Sequence, residues 1–101
     1  MNKIRVTELI AIRQTLHPDD PKIQDIWSEL SSVLSEFLDE TLEFLQNCSS
    51  DEVYWLSEVF EDVASELKNI EFINCIVALQ DKYQSIDIQN DIEFARKAMQ
   101  L

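Results

Sequence analysis

Apolar side chains recur every three or four residues along almost the whole chain, and no segment sustains the two-residue alternation of a half-buried strand. Three- and four-residue spacing places such side chains on one face of an α-helix, where they are buried together. The 101 residues fit one domain, residues 1–101, and 46% of them are apolar, enough to form a core. The sequence therefore predicts a single all-α domain rather than a disordered acidic tail.

Capping residues and prolines predict where the helices begin and end. Ser49 and Glu52 match a capping box at the start of the fourth helix. Asp20 followed by Pro21 suits the start of the second helix, and Asn69 suits the C-terminus of the fourth. About six short helices are expected, over about residues 3–16, 21–34, 37–47, 50–67, 70–83 and from 87 onwards.

The apolar spacing predicts the arrangement of these helices less clearly than it predicts the helices themselves. One apolar stripe runs through residues 23–45, which permits a single long helix, but serines compete for backbone hydrogen bonds and favour a break near Ser35. Short linkers predict antiparallel neighbours. A similarity at an offset of 28 residues, such as Ile26-Trp27 with Tyr54-Trp55, leaves two alternatives: stacked hairpins of the HEAT or armadillo type, or an irregular bundle.

The apolar stripes also predict buried side chains, among them Leu9, Ile12, Leu16, Trp27 and Phe37. Cys48 and Cys75 are expected to be reduced and to lie at or near the core. Together with the single histidine, His17, they are too few for the usual four nitrogen and sulfur ligands of zinc. No metal and no cofactor is predicted.

The sequence lacks the residues that several classes of functional site require. The chain has no glycine, which excludes phosphate-binding P-loops and dinucleotide fingerprints. Its only histidine precedes a proline in an expected loop, so we expect no catalytic residues and no enzymatic activity. Arg5, Glu8 and Arg13 interrupt what would be the apolar core of a signal peptide, and no apolar run is long enough for a membrane span. A cytoplasmic protein is predicted.

Negative charge is concentrated in the middle of the chain. The net charge is -12, and residues 23–67 contain twelve Asp and Glu but no Lys or Arg. The remaining eight acids and eight bases cancel. Such a distribution repels nucleic acid and anionic lipid and attracts basic surfaces. A basic protein is the predicted partner, without direct nucleic-acid or membrane binding, although acids also serve simply to solubilise outer helix faces.

The fourth helix has an unusual outer face. Its apolar residues fall within an arc of about 100°, which leaves Tyr54 and Trp55 on the opposite side among carboxylates. Aromatic residues are enriched at the energetic centres of interfaces. The alternative is that either ring packs under a neighbouring helix or the N-terminal segment. With acids of the third helix, the predicted partner-binding residues are Asp51, Tyr54, Trp55, Glu58, Glu61, Asp62, Asp39, Glu40 and Glu43.

The segment from Asn47 to Val63 resembles small helical immunity proteins of bacterial polymorphic toxin and contact-dependent growth-inhibition systems, and the general character of residues 39–101 is similar. The resemblance implies an antitoxin that binds one cognate toxin domain, often a basic nuclease such as an RNase, and blocks its active site or substrate groove. It transfers no site residue. Two alternatives stay open: a small acidic adaptor or regulatory subunit that binds a basic protein, and a DNA-mimic inhibitor.

Overall fold

The computed structural model describes residues 1–100, and all regular secondary structure in that range is helical. The helices are α1 Lys3–Thr15, α2 Lys22–Leu34, α3 Leu38–Gln46, α4 Ser50–Leu56, α5 Phe60–Leu67, α6 Ile70–Lys82 and α7 Gln89–Met99. A 3₁₀ turn, Ser57–Val59, joins α4 to α5. The all-α prediction is confirmed, and the predicted fourth helix is interrupted by this turn.

Local hydrogen bonds lie at the starts of α4 and α2. The Ser49 hydroxyl accepts a hydrogen bond from the Glu52 N–H at 3.2 Å, and the Glu52 carboxylate accepts one from the Ser49 N–H at 2.9 Å. This is the predicted capping box. Asp20 accepts from the Lys22 N–H at 2.9 Å, but the prediction that it is the N-cap was wrong, because Pro21 takes that position instead of forming the first residue of α2.

A buried hydrogen bond stabilises the break between α2 and α3. The hydroxyl of Thr41, which is fully buried, donates to the Leu34 carbonyl oxygen at 2.7 Å. That carbonyl ends α2 and has no partner within its own helix. The break near Ser35 is thereby confirmed. Phe37 lies in the extended connection and is 56% exposed, so its predicted burial was wrong, because the chain changes direction before the apolar stripe reaches it.

Helix α5 ends at Leu67, as predicted for the fourth helix, but Asn69 does not terminate it. Lys68 adopts the left-handed conformation, with φ 47° and ψ 46°, and its N–H donates to the Ala64 carbonyl oxygen. Asn69 instead begins α6, where its side-chain oxygen accepts from the Glu71 N–H at 2.8 Å. The prediction that Asn69 ends the helix was wrong, because its side chain caps the following helix.

The helices pack as a small bundle, one of the two predicted architectures. Pairs that are not consecutive in the chain pack together, α2 on α5, α5 on α7 and α3 on α6. Helix α1 packs on both α2 and α4, and the molecule measures 31 × 28 × 24 Å. Within residues 1–100, no helix is long and apolar enough to cross a membrane.

The core is built around α5 and α6. Phe60 and Phe72 are almost completely buried and pack edge to face, with their ring centroids 5.9 Å apart. Cys48 and Cys75 are buried free thiols, as predicted. Burial raises the pKa of Cys48 to about 12 and also raises the pKa of Cys75.

The buried face of α1 is rotated from the predicted one. It comprises Val6, Leu9, Ile10 and Arg13. Leu9 is confirmed as a core residue, but Ile12 is 41% exposed, so its predicted burial was wrong. The rotation occurs because α1 directs a charged side chain, Arg13, into the molecule, and this side chain organises the candidate site.

Candidate protein-binding site

Arg13 of α1 binds the outer side of the α4–α5 segment. It is only 8% exposed, and its Nε and Nη2 donate to the two carboxylate oxygens of Glu58 at 2.8 Å each. The indole N–H of Trp27 donates to the same carboxylate at 3.1 Å. The prediction that Glu58 stands on an open acidic face was therefore wrong, because two other helices occupy its oxygens. Trp27 is half-buried rather than an ordinary core residue.

The two aromatic residues of α4 differ in their exposure. Tyr54 is 47% exposed, as predicted. Trp55 is half-buried and packs against the core, and the guanidinium carbon of Arg13 lies 4.9 Å from the centroid of its ring. The open alternative, that one ring packs under the N-terminal segment, is thus correct for Trp55. Tyr54 contacts Trp55 edge to face, with ring centroids 5.2 Å apart.

Most of the predicted acids are exposed and unpaired. Within the described residues, no Lys, Arg or His nitrogen lies within 4.0 Å of the carboxylates of Asp39, Glu43, Asp51, Glu61 and Asp62. Asp51 accepts only a hydrogen bond from the side-chain amide of Gln14, at 3.3 Å. Glu40 differs, because it is half-buried and accepts from the Met1 ammonium group at 3.0 Å.

Helix α1 neutralises part of the base-free stretch. Besides the Arg13–Glu58 pair, Arg5 binds Glu29 of α2 through two hydrogen bonds, and its guanidinium lowers the pKa of Glu29. Helix α3 packs mainly on α6, and α5 packs mainly on α7. Exposed acids lie on both α3 and the α4–α5 segment.

A groove of about 660 Å³ separates α2 from α5, and we call it the serine groove. One wall carries four serines of α2, spaced as i, i+3, i+4 and i+7: Ser28, Ser31, Ser32 and Ser35. The remaining lining residues are Gln24, Trp27, Glu36, Asp62, Ser65 and Glu66. Only Asp62 was among the predicted site residues. The serine spacing was the available signal, but serines were interpreted only as residues that weaken a helix.

The described residues show no arrangement for metal binding. Across residues 1–100, no group of three or more His, Cys, Asp or Glu side chains is placed to hold a metal ion. His17 is exposed, and its Nδ1 accepts a hydrogen bond from the Asp19 N–H at 3.1 Å. The surface offers a ligand exposed carboxylates, the serines of the serine groove and the exposed ring of Tyr54. Comparisons of the chain with protein-family models, with curated proteins and with solved structures found no match.

Proposed function

We propose that the protein is an immunity protein that binds a basic toxin domain, such as a nuclease of the RNase type, and covers its active site or substrate groove. The observation that carries this proposal is the surface of α4–α5. There Tyr54 is 47% exposed on the same segment as Asp51, Glu61 and Asp62, three exposed carboxylates that form no ion pair within residues 1–100.

The chemistry of this surface suits a protein that normally binds a phosphate backbone. Carboxylate oxygens accept charge-assisted hydrogen bonds from Arg and Lys, as phosphate oxygens do. Exposed acids at the edge of an interface also accelerate encounter with a basic partner. An inhibitor of this kind works by occupying the groove, so it requires no catalytic group of its own.

The contacts beneath Tyr54 support its role as a central contact residue. Arg13 is held by Glu58 and lies over Trp55, which in turn supports the edge of Tyr54. A side chain held in place before binding loses less conformational entropy when the complex forms. Tyrosine also buries a large area while keeping a polar hydroxyl, which explains its frequency at binding hot spots.

The test measures affinity for the protein encoded immediately upstream of this gene, by isothermal titration calorimetry, together with inhibition of its nuclease activity. Tyr54→Ala combined with Glu61→Lys should weaken binding by about 30-fold or more, the loss expected for a hot spot. Both side chains are exposed, so the variant should stay folded. Trp55 and Glu58 are unsuitable for this test, because both stabilise the packing of α1.

A matched control changes an exposed aromatic residue and an exposed acid on another helix. Phe94→Ala combined with Glu93→Lys on α7 alters the charge equally, and Phe94 is 51% exposed. This variant should lose no more than about threefold in affinity, as is usual for surface positions outside an interface. Equal losses in the two variants, or no binding by the unmodified protein, would contradict the proposal.

A further inference from the structure

Two hydroxyl groups at the serine groove have no partner in the protein. The Oγ atoms of Ser31 and Ser35 are shielded from solvent and make no hydrogen bond, and within residues 1–100 no other buried side-chain polar atom is in this condition. Neither hydroxyl donates to the carbonyl four residues earlier, a bond that serine often makes in helices. Since a serine hydroxyl accepts two hydrogen bonds and a buried unpaired one is destabilising, a ligand that donates to these atoms would gain from them.

The charged groups of the serine groove are all negative. Glu36 lies at the end of α2, and Asp62 and Glu66 lie on α5. All three are exposed, and in the described part of the chain none has a basic nitrogen within 4.0 Å. Arg5 and Arg13 of α1, which packs on α2, are engaged with Glu29 and Glu58. A positively charged ligand therefore meets three carboxylates that form no ion pair within the described residues.

Trp27 adds an aromatic surface to the serine groove. Its indole N–H already donates to Glu58, so the ring presents carbon atoms and π electrons rather than a donor. Cations are attracted to the face of an indole ring, and guanidinium groups also stack on it. Hydroxyl acceptors, carboxylates and an indole together match the chemistry of a planar cationic donor.

We propose that the serine groove binds an arginine side chain from a basic loop of the partner protein. This inference rests on the proposed function and names the group of the partner that is recognised. Arginine is favoured over lysine because its five N–H donors lie in one plane and bind several acceptors at once, while the guanidinium is more weakly hydrated. The Ser31 and Ser35 hydroxyls are shielded in the free protein, so in the proposed complex both side chains rotate about χ1 to face the arginine. The volume of about 660 Å³ also accommodates the backbone beside the arginine.

The test uses an acetylated, amidated tetra-arginine peptide and follows the backbone amide resonances of the ¹⁵N-labelled protein by NMR. The largest shifts should fall on the α2 and α5 residues of the serine groove, and the uncharged tetra-citrulline peptide should produce none. Glu36→Gln with Asp62→Asn should weaken peptide binding about tenfold or more, as expected when two charge-assisted bonds are lost. Shifts spread over all the acidic surfaces would overturn the proposal.

Two further variants separate the serine groove from general electrostatic attraction. Asp39→Asn with Glu43→Gln on α3 changes the net charge equally, and it should weaken binding by no more than about threefold. Ser31→Ala with Ser35→Ala leaves the charge unchanged; it should weaken peptide binding about threefold or more without lowering the unfolding midpoint. Equal losses of affinity in the two charge variants, with no loss in the serine variant, would contradict the proposal that the serine groove binds arginine. That result would not affect the proposed function, which the toxin affinity and its dependence on Tyr54 test separately.

Discussion

Glu58 acquires its role from partners that are distant in the sequence. Arg13 lies 45 residues before it, and Trp27 lies 31 residues before it, yet both donate to its carboxylate. Helical periodicity placed Glu58 on the outer face of its helix, and that placement alone cannot distinguish an open acid from one covered by another helix. The buried face of α1 could not be predicted from apolar spacing either, because one of its residues is Arg13, and a charged residue is not counted among the apolar ones.

Replacement of Glu58 by glutamine should destabilise the fold. Glu58→Gln removes the charge that compensates the largely buried Arg13, and breaking a fully buried pair costs about 3–5 kcal/mol. Because the Glu58 side chain is 25% exposed, water screens part of the effect, and we expect about 2–3 kcal/mol in the free energy of unfolding by urea. Glu61→Gln, at an exposed and unpaired position, should change it by less than about 0.5 kcal/mol. Similar values for both would show that Arg13 does not need its partner.

Asp91 should make the protein less stable as pH rises above the acidic range. Burial raises the pKa of Asp91, and the nearby carboxylates of Glu58 and Asp87 raise it further, despite its favourable position in the first turn of α7. The folded state therefore holds the proton more tightly than the unfolded state. The stability contribution is present below the ordinary pKa of aspartate and is lost as pH rises through the folded value.

The variant Asp91→Asn cannot lose that proton, so its stability relative to the unmodified protein should increase with pH. We expect the two proteins to be similar near pH ~3 and the variant to be more stable near pH ~7. Urea unfolding at several pH values measures the difference. A variant that is less stable at neutral pH would contradict the assignment and indicate that the ionised carboxylate stabilises α7.

At the scale of helices, local sequence signals predicted where helices begin and end, whereas tertiary contacts determined which face of α1 is buried. Ser49 and Glu52 form hydrogen bonds with each other, so the start of α4 was predictable from residues 49–52 alone. The break near Ser35 was also predictable, although the Thr41 bond that stabilises it was not. Ile12 was assigned wrongly because the orientation of α1 depends on the Arg13–Glu58 pair, which periodicity does not reveal.

A glycine in place of Lys68, at the C-terminus of α5, should stabilise the protein. Lys68 is exposed and adopts the left-handed conformation, which costs a residue with a Cβ atom about 1–2 kcal/mol. Glycine avoids this cost but gives the unfolded chain more freedom, so Lys68→Gly should raise the free energy of unfolding by about 0.5–1 kcal/mol. Lys97→Gly removes the same charge within α7 and should lower it by about 1 kcal/mol. Thermal or urea unfolding compares them, and a destabilised Lys68→Gly protein would refute the expectation.

For the whole molecule, the excess of negative charge opposes folding. The net charge is -12, and only Arg5 and Arg13 bring Lys or Arg side chains into ion pairs with acids of residues 23–67 in the described structure. The unpaired carboxylates repel one another more strongly in the compact state than in the unfolded chain. The concentration of acids in residues 23–67 was fully readable from the sequence, whereas the pairing of Glu29 with Arg5 and of Glu58 with Arg13 required the packing of the helices.

Added salt should therefore stabilise the protein. Raising NaCl from about 20 mM to about 0.5 M shortens the distance over which exposed charges interact, so repulsion among carboxylates weakens and the thermal midpoint should rise. The variant Glu61→Gln with Asp62→Asn, which carries two fewer exposed charges, should show a smaller increase. A midpoint that falls with salt would mean that the few ion pairs outweigh the repulsion.

The Arg13–Glu58 pair also gives the protein a built-in optical reporter. The chain has two tryptophans, one of which donates to Glu58 while the other lies against Arg13. Tryptophan emission therefore originates from two fluorophores beside the same ion pair, at the contact of the N-terminal helix with the rest of the molecule. A shift of the emission spectrum that precedes the loss of helical circular dichroism would reveal the N-terminal helix detaching before the remainder unfolds.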